Sequence, residues 1–110
     1  MEEWRLLDVE IPASAAMNLA IEEAIFLGKM KRTIPPTLRF WRNRCAVVIG
    51  YSQNVEVEVN QSLCESKGIQ IVRRFTGGGA VYHDLGNLNY SIAVEVDYPL
   101  VKGMDIIDTY

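Results

Sequence analysis

The stretch Arg73-Arg74-Phe75-Thr76-Gly77-Gly78-Gly79-Ala80-Val81-Tyr82-His83-Asp84-Leu85-Gly86-Asn87 holds the residues best suited to chemistry. Three consecutive glycines cost backbone entropy, roughly 0.5 to 1 kcal/mol each against alanine in regular structure, so packing alone is a poor reason for them. Without Cβ atoms a loop can approach a ligand closely and aim its N–H groups at phosphate or carboxylate oxygens. Arg74, directly before it, adds a permanently charged fork suited to the same anion. Two known phosphate loops are excluded. A Walker A loop needs GxxxxGK[ST], but no lysine follows these glycines before Lys102. A dinucleotide fingerprint needs GxGxxG opening a helix, whereas Tyr82 stands at the third glycine position and the residues around it read as strand. By physics alone two readings stay open: an anion or nucleotide site set within a sheet, or a tight loop of purely structural purpose.

The elements that must position this loop follow from periodicity and punctuation. Residues 4–10 read as a first strand, stopped by Pro12. Ser14 is a natural N-cap, and Met17, Ala20, Ile21, Ala24, Ile25 and Leu27 then recur at helical spacing, with Glu22 and Glu23 on the other face. Gly28 and the basic run 29–32 suit the C-terminal turn of that helix. Residues 38–41 and 46–50 form two short strands across the polar link 42–44, the second apolar enough to be central. Asn60, residues 61–67 and Gly68 carry the signature of a short capped helix, although 55–59 alternates as a strand would. Residues 69–73, 80–83 and 88–96 are further strands, the last two separated by a hairpin-like tetrad in which Gly86 can take a positive φ. Residues 104–110 resemble the opening of a helix. The sum is an α+β protein: a mixed, largely antiparallel sheet with flanking helices, its last elements expected from elsewhere.

With 110 residues, 49% hydrophobic and 23% charged, the chain is an ordinary globular domain and too short for two. Its longest uncharged apolar stretches fall far short of the ~20 residues of a membrane helix. The acidic start Met1-Glu2-Glu3 lacks a secretory pattern, so the expected location is cytoplasmic, with no membrane partner. Cys45 and Cys64 have no CxxC spacing and are expected to be buried thiols. One histidine without a ligand cluster gives no metal site. A net charge of −3 and a pI near 5.1 argue against nucleic acid. Yet Lys29, Lys31, Arg32, Arg39, Arg42 and Arg44 lie in a window free of acidic residues, which reads either as a docking surface for an anionic partner or as solvated element ends.

The motif RRFTGGGAVYHDLGN, with LRFWRN and AVVIGYSQN upstream and Asn18-Leu19-Ala20 with Glu22-Glu23 on the helix, resembles the lipoate-protein ligase family, which shares its fold with biotin-protein ligases. The resemblance implies a class II synthetase-like catalytic domain of which residues 1–110 are the N-terminal part. It implies an ATP-dependent ligase that turns lipoate into lipoyl-AMP, with ATP and its Mg²⁺ as co-substrates. The acyl group then passes to a lysine of an acidic lipoyl-acceptor domain, of the 2-oxoacid dehydrogenase or glycine-cleavage H-protein type.

Residue by residue, the resemblance implies that Arg74 faces the α-phosphate and carboxylate. The nucleotide run comprises Gly77, Gly78, Gly79, Ala80, Val81 and Tyr82. Trp41, Gly50, Tyr51, Gly78 and His83 would border the lipoate tunnel, with His83 shaping the site and Asp84 opening the turn. Arg73 should point away from Arg74 into a surface ion pair. The family's substrate-contacting lysine lies on a later strand, and Lys102 is too near the glycine motif to be that residue. The chain is therefore expected to be a truncated form of a ligase, with completion by a complementing polypeptide or loss of activity as the alternatives, and a sheet left open at its edge predicts a homodimer or a mixed complex. Two alternatives stand beside the ligase. One is an octanoyltransferase of the same fold, which Gly79 and Tyr82 and the setting of Cys64 disfavour; the other is a non-catalytic module that binds lipoate or its adenylate.

Overall fold

The computed structural model describes residues 3–95. The helix expected over 104–110, Lys102 and position 96 of the last expected strand lie outside them. Among the described residues six strands form two mixed three-stranded sheets. In the first, β2 (Thr37–Trp41) is central, with β1 (Arg5–Leu7) parallel on one side and β6 (Asn89–Ala93) antiparallel on the other. In the second, β3 (Cys45–Ile49) is central between parallel β4 (Gln70–Arg73) and antiparallel β5 (Val81–Asp84). The central place of β3 follows from its apolar run, as the sequence predicts.

Chain neighbours part company twice. The link 42–44 carries the chain from β2 in one sheet to β3 in the other, and the tetrad 84–87 does the same between β5 and β6. The tetrad is therefore a turn between sheets, not a hairpin. Its closure uses the Asp84 side chain, which accepts from Gly86 N at 2.9 Å, and Asn87 N donates to Asp84 O at 3.0 Å. Gly86 does not adopt a positive φ.

Helix α1 (Ala15–Met30) packs on β4 and β6, bridging the sheets. Ser14 caps it as expected, accepting from Met17 N at 3.2 Å. The buried stripe is rotated from the one hydropathy suggests. Ala15, Asn18, Ile25 and Lys29 are buried, while Met17 and Leu27 are exposed. The polar members turn inward because each meets a fixed partner: Lys29 Nζ donates to Ile34 O at 3.0 Å and to Glu95 Oε1 at 2.7 Å. That bond holds the Glu95 carboxyl below its usual range. The helix runs past Gly28, and Arg32, not Gly28, takes the left-handed conformation at φ 56°. Gly28 instead admits Ile34, whose Cδ1 would lie 3.1 Å from an added Cβ.

Helix α2 (Val55–Glu58), capped by Asn54, replaces any strand there, and α3 (Gln61–Lys67) runs from Asn60 to Gly68 at φ 68°, as the capping signature predicts. The apolar core is small: Ala15, Ala46 and Val48, with Leu19 and Val72 against them. Beside it runs a polar seam of Asn18, Thr37, Arg39 and Asn43, none more than 1% exposed. Arg39 uses all five of its N–H groups there, on Val9 O, Asn18 O, Asn18 Oδ1 and Glu22 Oε2 at 2.9–3.1 Å.

Candidate functional site

The glycine loop springs from the end of β4 and returns into β5. Arg74 organises it from inside. Its Nη2 donates to Gly77 O and Gly79 O, both at 2.8 Å, and its Nη1 to Val48 O at 3.3 Å. Its Nε also donates to Gly77 O at 3.2 Å. The loop carbonyls are thus turned to the guanidinium, and among the described residues nothing accepts from the N–H groups of Gly77, Gly78 or Gly79. Among the described residues one Nη1 hydrogen of Arg74 is left over.

The three glycines do different work. A Cβ on Gly77 or Gly79 would meet nothing within 4 Å, so both face open space. Gly78, at φ +103°, needs to be glycine for its backbone, and its carbonyl seats on Gly50. Exposed amides, open space and an adjacent cation are what an anion requires of a loop.

Two adjoining hollows, of about 260 and 350 Å³, open beside this loop and share Leu19, Arg74 and Phe75. Trp41, Val81 and His83 line the smaller with Glu22; Tyr51 and Arg73 line the larger. Phe75 is held on the helix by Phe26, ring centroids 5.4 Å apart. The structure therefore brings Trp41, Arg74, Val81 and His83 together. It sets Tyr51 in the neighbouring hollow, puts Gly50 under the loop as a seat, and leaves Ala80 exposed outside both hollows. Tyr82 alternates away from Val81 and His83, and the neighbouring Cys45 thiol pushes its pKa up.

His83 meets Trp41 edge-on at 6.2 Å and its Nδ1 lies 3.1 Å from Asn43 Nδ2. Burial first, and then the Arg74 charge, hold its imidazole below the usual range. Between β2 and β6, Trp41 stands opposite Asn89, and neither Trp41 Nε1 nor Asn89 Nδ2, both buried, finds an acceptor among the described residues. The cleft thus offers apolar walls beside the Arg74 guanidinium and the unspent amides of the glycine loop, a setting for a ligand that is apolar along its length and oxygen-rich at one end.

Four expectations are corrected. Among the described residues Arg73 makes no surface ion pair; its Nη1 clasps Gly50 O, Tyr51 O and Gln53 O at 3.1, 2.9 and 2.6 Å, because the loop leaving β3 curls over the end of β4. The basic window is not one open surface, since Lys29 and Arg39 are buried and Arg42 pairs with Glu10 at 2.6 Å. Cys64 is buried as expected, but Cys45 is only half-buried, against Tyr82. Glu22, placed on the outer face by hydropathy, lines the cleft instead; its spacing of four from Asn18 and seven from Lys29 was the signal that a polar stripe runs inward. Among the described residues no group of three or more His, Cys, Asp or Glu is placed to hold a metal, and no helix is long and apolar enough to cross a membrane.

The model of the lipoyl protein ligase A/B catalytic domain matches residues 14–109. The chain belongs to this family. Lipoate-protein ligase A subunit 1 of Thermoplasma acidophilum is 46% identical over 95 residues, 86% of this chain and 36% of that protein. Octanoyltransferase LipM of Moorella thermoacetica is 40% identical over 103 residues, 93% of this chain and 37% of that protein. A crystal structure of lipoate-protein ligase A bound with ATP superposes with a TM-score of 0.81 at 44% identity, covering 96% of this chain and 40% of that one. A bi-partite lipoate protein ligase from Thermoplasma acidophilum, studied with its E2 lipoyl domain, gives a TM-score of 0.75 at 46% identity, covering 84% of this chain and 36% of that one. The chain spans a little over a third of the length of the curated relatives it matches. The ligase-like α+β fold expected from the sequence is the fold observed.

Proposed function

We propose that this chain is the N-terminal part of the catalytic domain of an ATP-dependent lipoate-protein ligase. The observation that carries the reading is the loop whose carbonyls Arg74 draws in and whose three glycine amides stay unspent beside open space. In this reading the hollow lined by Trp41, Val81 and His83 takes the acyl chain. The loop amides of Gly77, Gly78 and Gly79, with the remaining Nη1 hydrogen of Arg74, meet the phosphate as negative charge grows on it. Ala80 and Tyr82 border the nucleotide, and Tyr51 closes the mouth.

A lipoate carboxylate oxygen attacks the α-phosphorus, the bond to the β-phosphate oxygen breaks, and pyrophosphate leaves with the electron pair and its Mg²⁺. The amine of an acceptor lysine then attacks the acyl carbon, AMP departs, and the nitrogen gives up a proton. The bi-partite relative supports a complementing polypeptide and a lipoyl domain as the partners of this chain.

Lipoate-dependent exchange of labelled pyrophosphate into ATP tests the reading. Exchange is expected when the chain is combined with a polypeptide supplying the remainder of the domain, and to be absent or very weak without it. Strong exchange by the chain alone would contradict the need for a complement. The LipM relative favours one second reading, octanoyl transfer from an acyl carrier protein. Transfer without ATP, and no exchange under any combination, would select it.

Arg74→Ala is expected to weaken acyl-adenylate binding by about 1.5 to 3 kcal/mol, the range for hydrogen bonds involving a charged group. Arg73→Ala, by contrast, should leave the glycine loop bonded and free residues 50–53. Calorimetric titration with a non-hydrolysable adenylate, beside amide exchange at Gln53, whose N–H donates to Gly50 O at 3.2 Å, separates the two. A Gln53 amide as protected in Arg73→Ala as in the wild type would contradict the clasp.

A further inference from the structure

The polar seam does more than satisfy Arg39. Arg39 Nη2 and Ile11 N both donate to Asn18 Oδ1, at 3.0 and 2.9 Å, and neither group can accept. That fixes which end of the Asn18 amide is oxygen. Its Nδ2 is therefore the donor, its two hydrogens shared among Ile11 O and Arg42 O at 3.0 Å and Asn43 Oδ1 at 2.9 Å. Asn43 is fixed in turn: its oxygen is spent on Asn18, so its Nδ2 must donate to His83 Nδ1, 3.1 Å away. An imidazole nitrogen that accepts carries no hydrogen, so the ring hydrogen sits on Nε2. Asn18 and Asn43 are both fully buried, which denies the amides water and with it the freedom to flip.

We propose that Asn18 and Asn43 form a positioning relay that fixes His83 as its Nε2–H tautomer, presenting one N–H donor to an oxygen acceptor in the cleft that His83 lines. Neither asparagine lines that cleft; both act through the histidine. The acceptor's identity as an oxygen of the acyl-adenylate rests on the ligase reading, whereas the tautomer does not. The charged groups around the ring are Arg74 and Glu22, which line the same cleft, and Arg39, whose guanidinium lies 5.0 Å over Trp41. Protonating Nδ1 would set two donors against each other at Asn43, so the relay and the Arg74 charge act in one direction, toward a neutral ring.

His83 is the sole histidine of the chain, so ¹⁵N spectra of the labelled full chain read its two ring nitrogens without ambiguity. At neutral pH Nε2 is expected in the protonated range and Nδ1 in the unprotonated range. Asn43→Asp replaces the donor with an acceptor of the same shape, so the hydrogen should move to Nδ1 or the ring should take up a second proton. Asn43→Ala, which removes the donor without adding charge, should give averaged shifts and serves if the Asp variant does not fold. A wild-type ring with its hydrogen on Nδ1, or an averaged pair, overturns the proposal, as does a variant ring still locked as in the wild type. Addition of a non-hydrolysable lipoyl-adenylate should move the Nε2 resonance, and where Asn43→Asp leaves the ring neutral with its hydrogen on Nδ1, the affinity should fall about tenfold, the scale of one hydrogen bond to a charged acceptor. A locked tautomer whose Nε2 resonance ignores the adenylate upholds the relay and counts against the ligase reading of the cleft.

Discussion

Arg39→Ala is expected to destabilise the protein by about 3 to 5 kcal/mol, the cost of stripping one partner from a buried charged network. Arg39 is 0% exposed and each of its N–H groups is spent. Its removal leaves Val9 O, Asn18 O and the Glu22 carboxylate short of a donor in the dry seam between α1 and β2. It also takes the cation from the face of Trp41. Against a typical total stability of about 5 to 15 kcal/mol the variant would be marginally folded. Urea unfolding reads this as a large fall in the midpoint. Arg39→Lys keeps the charge but has a single ammonium in place of the fork, so it should fall between. Arg42→Ala, which removes a surface pair with Glu10, should leave the midpoint where it is. A small shift for Arg39→Ala, comparable to that of Arg42→Ala, would mean that water reaches the seam.

The same arginine shows why the site was only partly legible in the sequence. The strand that carries it was evident from its aromatic and aliphatic residues, and helix α1 from its cap and period. Which face of each looks inward was not. Along β2 the alternation buries Thr37, Arg39 and Trp41 and leaves Leu38 and Phe40 half-buried, the inverse of hydropathy. Hydropathy ranks a side chain by its transfer from water and is blind to partners that arrive from 17 to 30 residues away, as those of Arg39 do. The glycine loop was legible for the opposite reason. Backbone exposure is a local property, and three glycines with an arginine beside them declare it without any tertiary contact. The split of β5 and β6 into separate sheets left no local trace either, since an Asp-x-Gly-Asn turn closes the same way whether or not the strands it joins pair with each other.

Cleft and seam are therefore one construction. The side chains hydropathy assigns to solvent, Arg39, Glu22 and Asn18, fix a framework on which Trp41 and His83 are oriented, and Ser91 Oγ, donating to Glu22 Oε2 at 2.9 Å, ties β6 into it. A small apolar core could not hold the two sheets in register at this point, because β2 and β3 diverge across a three-residue link. Directional bonds do so instead.

Gly50→Ala is expected to abolish adenylate binding, by a hundredfold or more, while Gly79→Ala should weaken binding without harming the unliganded protein. The contrast comes from what an added methyl would meet. At Gly50 it would lie 2.0 Å from Gly78 O and 3.0 Å from Gly78 C, both backbone atoms, so the glycine loop itself must lift. The neighbouring bonds resist any shift of Gly50: its N–H donates to Gln53 Oε1 at 2.8 Å and its carbonyl accepts from Arg73 at 3.1 Å. The loop is therefore the part that moves, and a displacement of about 1 Å in a positioning element can cost a hundredfold. Overpacking should also lower stability by about 1 to 3 kcal/mol. At Gly79 the methyl enters open space, and replacing glycine at a compatible conformation tends to stabilise by about 0.4 to 1 kcal/mol through the unfolded chain. Unfolding midpoints and titration with a non-hydrolysable adenylate, run on both variants, separate the roles. If Gly79→Ala bound the adenylate as the wild type does, the space beside that glycine would not be where the ligand lies. If Gly50→Ala bound it unchanged, the loop would not need its seat on β3, and the amides of Gly77 to Gly79 would have to be held by Arg74 alone.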